Sequence, residues 1–311
     1  MKFFYTLLLI APGFLLAQDE DLLSLVDDGP KKSEPVYATF KTFRLGNAQT
    51  IETVKKNHLD FRIAHRFGNI YNSDLANPIN ETFQSFFGFD NNQDIRFSFD
   101  YGVTDNITIG IGRSAMGKLF DGSLKWKLLK QTSDFKVPVS ITFFGDLGYT
   151  FAPTSVIYGG INKTFKTNEL HRFNYISQLI IASKLHKAIS LEILPTYVHR
   201  NFIVQRINSN NDAEDVNGFF SLGFGGRVKL TKRVCLIGDY FYNFADFFKN
   251  NDAVKMPLSF GVELETGGHV FSLFFTNASG LIENNFIPNT FDSWSKGQVK
   301  FGFNISRTFA L

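Results

Sequence analysis

Residues 297–311 read GQVKFGFNISRTFAL. Val299, Phe301, Phe303, Ile305, Phe309 and Leu311 fall on one side of an extended strand, and Lys300, Gly302, Asn304, Ser306 and Thr308 fall on the other. Side chains repeat every second residue along a strand, so this stretch has an apolar face and a small, polar face, with Arg307 as the one break. A sandwich strand in water shows the same alternation. The rest of the chain has to separate the two cases.

The pattern recurs. Leu59, Phe61 and Ile63 alternate with Asp60, Arg62 and Ala64, and Ile95, Phe97, Phe99, Tyr101 and Val103 alternate with Arg96, Ser98, Asp100 and Gly102. Ile107, Ile109 and Ile111 face away from Thr108, Gly110 and Gly112, and Leu124, Trp126 and Leu128 from Lys125 and Lys127. Further strands fall at about 137–149, 171–184, 188–201, 220–228, 233–244, 256–265 and 269–277, those at 171–184, 188–201, 233–244 and 269–277 with less clean faces.

Short connections near 104–106, 131–135, 185–187, 230–232 and 266–268 alternate with longer ones near 68–92, 115–120, 151–170, 202–216, 245–255 and 278–295. Short turns at one end and long loops at the other are the mark of a transmembrane antiparallel up-and-down β-barrel, here of about 12 strands. The count is about 14 if a hairpin at 38–54 joins the wall. That hairpin has interrupted faces at Thr39, Lys41 and Thr42, which places it at the periplasmic mouth or inside the barrel. The final strand resembles the terminal strand and assembly signal of bacterial outer-membrane barrels, which implies outer-membrane lipid and the barrel assembly machinery as partners.

Composition agrees. The 311 residues include 37 phenylalanines and 16% aromatics, and no run after the N-terminus approaches the length of a membrane helix. At a mean hydropathy of −0.06, this is the balance of a wall with lipid on one face and water on the other. Lys2 followed by the apolar run Phe3–Leu16 and a small Ala17 reads as a cleaved signal peptide over 1–17. A Gram-negative outer-membrane location follows as an expectation. Residues 18–57 then form a periplasmic extension, acidic at Asp19, Glu20, Asp21, Asp27 and Asp28, that ends in the hairpin or a lumen plug. The acidic stretch reads first as a mobile tail, with one or two helical turns that dock a periplasmic protein partner through residues 18–57 as the alternative. The sequence has 32 basic residues, Lys2 among them, against 29 acidic ones, so no nucleic-acid partner is expected.

With the apolar side on lipid, the alternate residues must line the lumen, because Arg or Lys facing the bilayer midplane costs roughly 2–4 kcal/mol. On the early strands this sends Asp60, Arg62, Arg66, Arg96 and Asp100 inward. Lys125, Lys127, Asp146, Arg172 and Glu192 follow, and then Arg227, Lys229, Glu263 and Glu265. Cross-strand ion pairing and a hydrated path or binding site for a small polar solute are both consistent with such a lining. Inward Gly102, Gly110, Gly112, Gly223, Gly225 and Gly261 fit either open space or tight curvature. Catalysis is not expected. His171 and His199 approach the loop end without a motif around them, and no metal-ligand spacing, cofactor fingerprint or cysteine pair occurs, Cys235 being a small packed residue.

The stretches PVYATFKTFRL, HLDFRIAHRFGNI, DIRFSFDYGVTDNITIGIGRS and FDGSLKWKLLKQ, in that order, resemble a Bacteroidetes β-barrel family known as a domain of unknown function, DUF5777. The resemblance covers most of the chain after the signal peptide and is strongest from about Pro35 to Gln131. It implies an outer-membrane barrel with no assigned activity and transfers no catalytic or ligand residue. The expected role is a channel or binding barrel for a small polar solute, with an occluded barrel that anchors or docks other proteins as the alternative.

Overall fold

The computed structural model describes residues 33–159 and 168–311. The leader at 1–17 and the acidic stretch up to residue 32 lie outside the described residues. Twelve strands follow one another: β1 (His58–Asn69), β2 (Asn92–Thr104), β3 (Ile107–Ser114), β4 (Leu119–Leu129), β5 (Ser140–Thr150) and β6 (Phe173–His186). The second half holds β7 (Ile189–Arg200), β8 (Gly218–Lys229), β9 (Val234–Asn243), β10 (Leu258–Thr266), β11 (His269–Thr276) and β12 (Lys300–Ala310). Each pairs antiparallel with its neighbours in sequence, and β12 returns to β1 in the register Leu59 to Phe309, Ile63 to Ile305 and Arg66 to Gly302. Closure leaves no edge strand, the only way a sheet satisfies its backbone in hydrocarbon. The wall has twelve strands rather than fourteen.

The two ends of the barrel differ. β2–β3, β6–β7, β8–β9 and β10–β11 join through tight turns, and β4–β5 through residues 130–139. At the opposite end, long loops cover 70–91, 201–217, 244–257 and 277–299, and β5 ends there at Thr150 and β6 begins there at Phe173. The β3–β4 connection is an exception: it is only four residues, 115–118, because β4 begins at Leu119. These are called the turn end and the loop end below.

Outward residues form an apolar band. Phe97, Ile111, Trp126, Leu191, Phe220 and Phe260 project from six strands and are 43–65% exposed, an arrangement that demands hydrocarbon around it. The packed core lies inside. Residues 33–57 enter at the turn end, where Pro35 bridges Thr132 and the Val36 amide donates to the Gln131 carbonyl at 2.7 Å. The chain climbs the lumen, reverses at Gly46 and Asn47 between bridged Arg44 and Gln49, and descends to Asn57, whose amide donates to the Gly102 carbonyl.

Phe40, Leu45 and Ile51 of this insert pack on inward Ile180, Leu194, Val198, Ile237 and Phe241, and Phe247, Phe248, Phe286 and Ile287 close over them from the loops. That explains the unclean strands. Where the lumen is filled by apolar chain, β6, β7 and β9 carry apolar residues on both faces, and the alternation fades as it does in any strand buried on both sides.

Candidate functional site

A backbone led through a lumen away from water must find partners for its amides and carbonyls. The wall supplies them from side chains. At the tip of the insert, the Asn47 amide donates to the Asp239 carboxylate at 2.8 Å and Asn47 Nδ2 to Thr276 Oγ1 at 3.1 Å. Arg66 donates to the Gly46 carbonyl and to Asn47 Oδ1, and Asn304 Nδ2 donates to the Leu45 carbonyl at 2.8 Å. Only glycine fits at the reversal, since a Cβ on Gly46 would come within 2.2 Å of Ser259 Oγ.

The arms are held the same way. Lys125 Nζ donates to the carbonyls of Phe43 at 2.8 Å and Thr50 at 2.9 Å. Thr142 Oγ1 donates to the Ile51 carbonyl, Ser190 Oγ to the Thr39 carbonyl, and Thr42 Oγ1 to Glu263.

From the loop end, residues 277–299 fold down to meet the insert. Arg44 donates to Glu283 Oε2 at 2.7 Å and to the Leu281 carbonyl at 3.0 Å, with side-chain exposures of 6% for Arg44 and 1% for Glu283. Two segments more than two hundred residues apart in sequence are therefore joined by one buried ion pair. Between them and β1 to β5 remains a polar cavity of about 30 Å³, lined by Arg62, Arg96, Asp100, Lys125, Asp146 and Glu283 among others. That is room for about two water molecules.

The expected lumen residues separate into groups. Asp60 pairs with Arg62 at 2.9 Å, Asp100 stands 4.0 Å from Arg62, and Arg227 pairs with Glu263 at 3.1 Å. Arg96 forms a short bidentate pair with Asp121, Arg66 and Lys125 hold the insert, and Asp146 accepts from Asn284 at 3.1 Å. Lys127 reaches Glu52 of the insert at 3.5 Å. Glu192 lies buried over Gly225, where a Cβ would come within 2.5 Å of its carboxylate. Likewise Gly112 makes room for Arg96 and Gly302 for Arg66, so these glycines admit neighbouring side chains rather than open a pore.

Three expectations need correction. Arg172 lies outside the wall, in the turn Glu169–Arg172 that precedes β6, and donates to the carbonyls of Thr150 and Ala152 at the loop end. Lys229 is exposed at the turn end of β8. Glu265 sits at the turn-end mouth and pairs with Lys41 at 2.9 Å. Inward alternation places a residue in the lumen only at mid-height, and at strand ends the same phase points into solvent or a loop.

Sequence reasoning missed Arg44, Asp121, Asp239, Glu283 and Lys300 as inward charges. Asp121 and Lys300 carried the signal, being in phase with their strands. Asp239 was hidden between inward Ile237 and Phe241, which set a misleading apolar phase. Arg44 and Glu283 lie outside strands altogether.

At the turn end the entering chain is clipped to the β4–β5 connection. Asp134 accepts from Thr132 Oγ1 at 2.7 Å, Ser33 Oγ at 3.0 Å and the Lys136 amide at 3.2 Å. The Thr132 hydroxyl above all, with these other donors, holds its carboxyl well below the usual carboxylate range.

Among solved structures the similarities are distant. The NanC porin aligns at 7% identity over 81% of this chain and all of its own, with a TM-score of 0.46. The KdgM porin aligns at 8% identity over 81% of this chain and 99% of its own, with a TM-score of 0.43. LpxR from Salmonella typhimurium aligns at 10% identity over 82% and 100%, with a TM-score of 0.36. No curated protein matches the chain in sequence. The family model described as membrane bound beta barrel domain, DUF5777, matches residues 40–309, a span that runs from Phe40 in the insert to Phe309 near the end of β12. With that match over most of its length, the chain belongs to the DUF5777 family of membrane bound beta barrel domains.

Proposed function

We propose that the protein works as a closed barrel in the outer membrane, non-enzymatic, which anchors the segment before Ser33 on the periplasmic side for a partner protein. One observation carries this reading: residues 39–54 fill the lumen and are bonded to both halves of the wall and to the descending loop. Charges that a solute path would present to water are instead spent on the insert and on one another. Ser33, the first described residue, is held at the turn end by Asp134. The acidic residues Asp19, Glu20, Asp21, Asp27 and Asp28 fit a partner with a basic surface.

Planar bilayers test the closure. The intact chain is expected to be silent, and a chain lacking residues 33–54 is expected to conduct. Steady conductance by the intact chain overturns the closed reading. Docking is tested by deletion of residues 18–32, which should abolish capture of the partner while the barrel still assembles.

A second reading, a gated path for a small polar solute, is favoured by one feature. The insert is held by side chains and not by strand pairing to the wall, so its withdrawal would uncover Arg62, Arg96, Lys125 and Asp146 in a ready-made polar lining. In a Cys235→Ser background, the pair Gly46→Cys and Ser259→Cys is the lock to try: a Cβ at 46 would lie 3.0 Å from that of Ser259, about 0.5 Å inside the shortest usual disulfide spacing, so the reversal must shift slightly for the bond to close. Solute flux that stops on oxidation supports the gate. Flux that persists through the locked barrel removes it.

A further inference from the structure

The β1–β2 loop carries an apolar surface that the barrel does not cover. Its helix α1 (Pro78–Gln84) places Ile79 and Phe83 one turn apart on one side and Asn80, Glu81 and Gln84 elsewhere. Phe86, Phe87 and Phe89 follow directly. Ile79, Phe83 and Phe86 are 69, 65 and 63% exposed, and between Leu75 and Phe89 the only charged residue is Glu81. In water such a cluster is unfavourable, and single exposed residues do not account for it.

Backbone geometry shows that the exposure is built in. Phe86 and Phe87 both have positive φ, at 46° and 56°, a region bulky residues avoid. The Phe87 amide donates to the Thr82 carbonyl at 2.8 Å, and Gly88, at φ 81°, completes the reversal. Two phenylalanines are thus turned away from the protein at the expense of backbone strain.

The cluster continues the lipid-facing wall. Phe89 packs on Phe67 of β1 at 4.9 Å between centroids and on Phe301 of β12 at 5.6 Å, both outward-facing, and Phe301 meets Phe275 of β11 at 5.9 Å. Phe86 reaches Phe89 at 5.9 Å and Phe83 reaches Phe87 at 5.5 Å, so the chain of rings runs unbroken from the barrel side onto the loop.

We propose that residues 75–89 are a membrane-surface anchor, with Ile79, Phe83, Phe86 and Phe87 seated in the lipid at the loop end of the barrel, beside the β1–β12 seam. An amphipathic segment of this kind rests roughly 5–10 Å into the boundary between headgroups and acyl chains. The near absence of charge points to the acyl boundary itself and not to a specific headgroup. The occupant is lipid, because the patch is continuous with a face that lipid already covers.

Tryptophan depth probes in the full-length protein test this. With Trp126→Phe and Trp294→Phe as background, Phe86→Trp in vesicles of brominated phosphatidylcholine should show blue-shifted emission and lose most of it when bromine sits near the headgroup end of the chains. Glu81→Trp, on the opposite side of α1 from Ile79 and Phe83, should emit at the wavelength of water and stay unquenched. Water-like, unquenched emission at position 86 overturns the proposal. So does quenching that vanishes on dilution of the protein in lipid together with a cross-linked dimer, since the patch would then bind a second copy. Should Phe86→Trp assemble poorly, Phe83→Trp gives the same two outcomes.

Discussion

On β1, Asp60, Arg62 and Arg66 face the lumen and each meets a fixed partner, while Leu59, Phe61 and Ile63, one residue along, pack only on neighbours of the same surface. Phe61 stacks on Phe99 across the strand pair at 4.9 Å and is otherwise open to lipid. The two faces are made by one alternation but answer to different surroundings. Lipid is a fluid without fixed shape and asks only that a residue be apolar. The filled lumen is a packed interior, where each polar atom needs its partner and each added methyl needs space.

Substitutions on the inner face should therefore be costly and those on the outer face cheap. The largest effect is expected for Arg44→Ala, which strands buried Glu283 and should lower stability by about 3–5 kcal/mol. Urea-induced unfolding in detergent micelles measures it, and Arg44→Leu with Glu283→Leu should regain most of the loss. A null effect of Arg44→Ala would mean that the insert contributes nothing to the barrel.

Lys125→Met comes next. It removes the donor to the Phe43 and Thr50 carbonyls and should cost about 1–3 kcal/mol, read as faster amide hydrogen exchange between residues 42 and 52 than elsewhere. Glycines give the sharpest pair. Inward Gly102→Ala sets a Cβ 2.0 Å from the Lys55 carbonyl oxygen and should cost about 1–3 kcal/mol. Outward Gly122→Ala meets nothing within 4 Å and should stay within about 0.5 kcal/mol of the parent. Equal effects at the two positions would break the distinction between faces.

The smallest effect is one of pH. Asp134, outside the membrane, has its carboxyl held low, so its grip on Ser33 is present at neutral pH, above the ordinary aspartate value, and is lost only as pH falls through the lowered one. Protection of the amides of residues 33–36, taken relative to the intrinsic exchange rate at each pH, should be flat from neutral to mildly acid pH and fall only in strong acid. A fall near the histidine range would contradict it.

Much of the wall was legible because lipid imposes a plain rule. Strands β1 to β4 and β12 stand in the alternation as written, and the end-to-end difference in connection length gave the antiparallel order. The candidate site was legible by half. Arg62, Arg66, Arg96, Lys125 and Glu263 could be sent inward by phase, but their partners in the insert and the descending loop could not, since no periodicity ties Arg44 to Glu283. Arg172 shows the converse, a residue in phase whose chain has already left the strand.

By itself, the sequence determined that this chain builds an antiparallel barrel wall, of twelve or fourteen strands, with phenylalanine outside, because hydrocarbon selects for apolarity at every second residue and that demand is local. Only the tertiary structure decided what stands inside. The insert and the loop reach the lumen through contacts between distant segments, and their polar and apolar patterns are those of any buried chain. Whether alternate charges meet water, each other or a folded-in backbone is settled by volume and hydrogen-bond geometry in three dimensions.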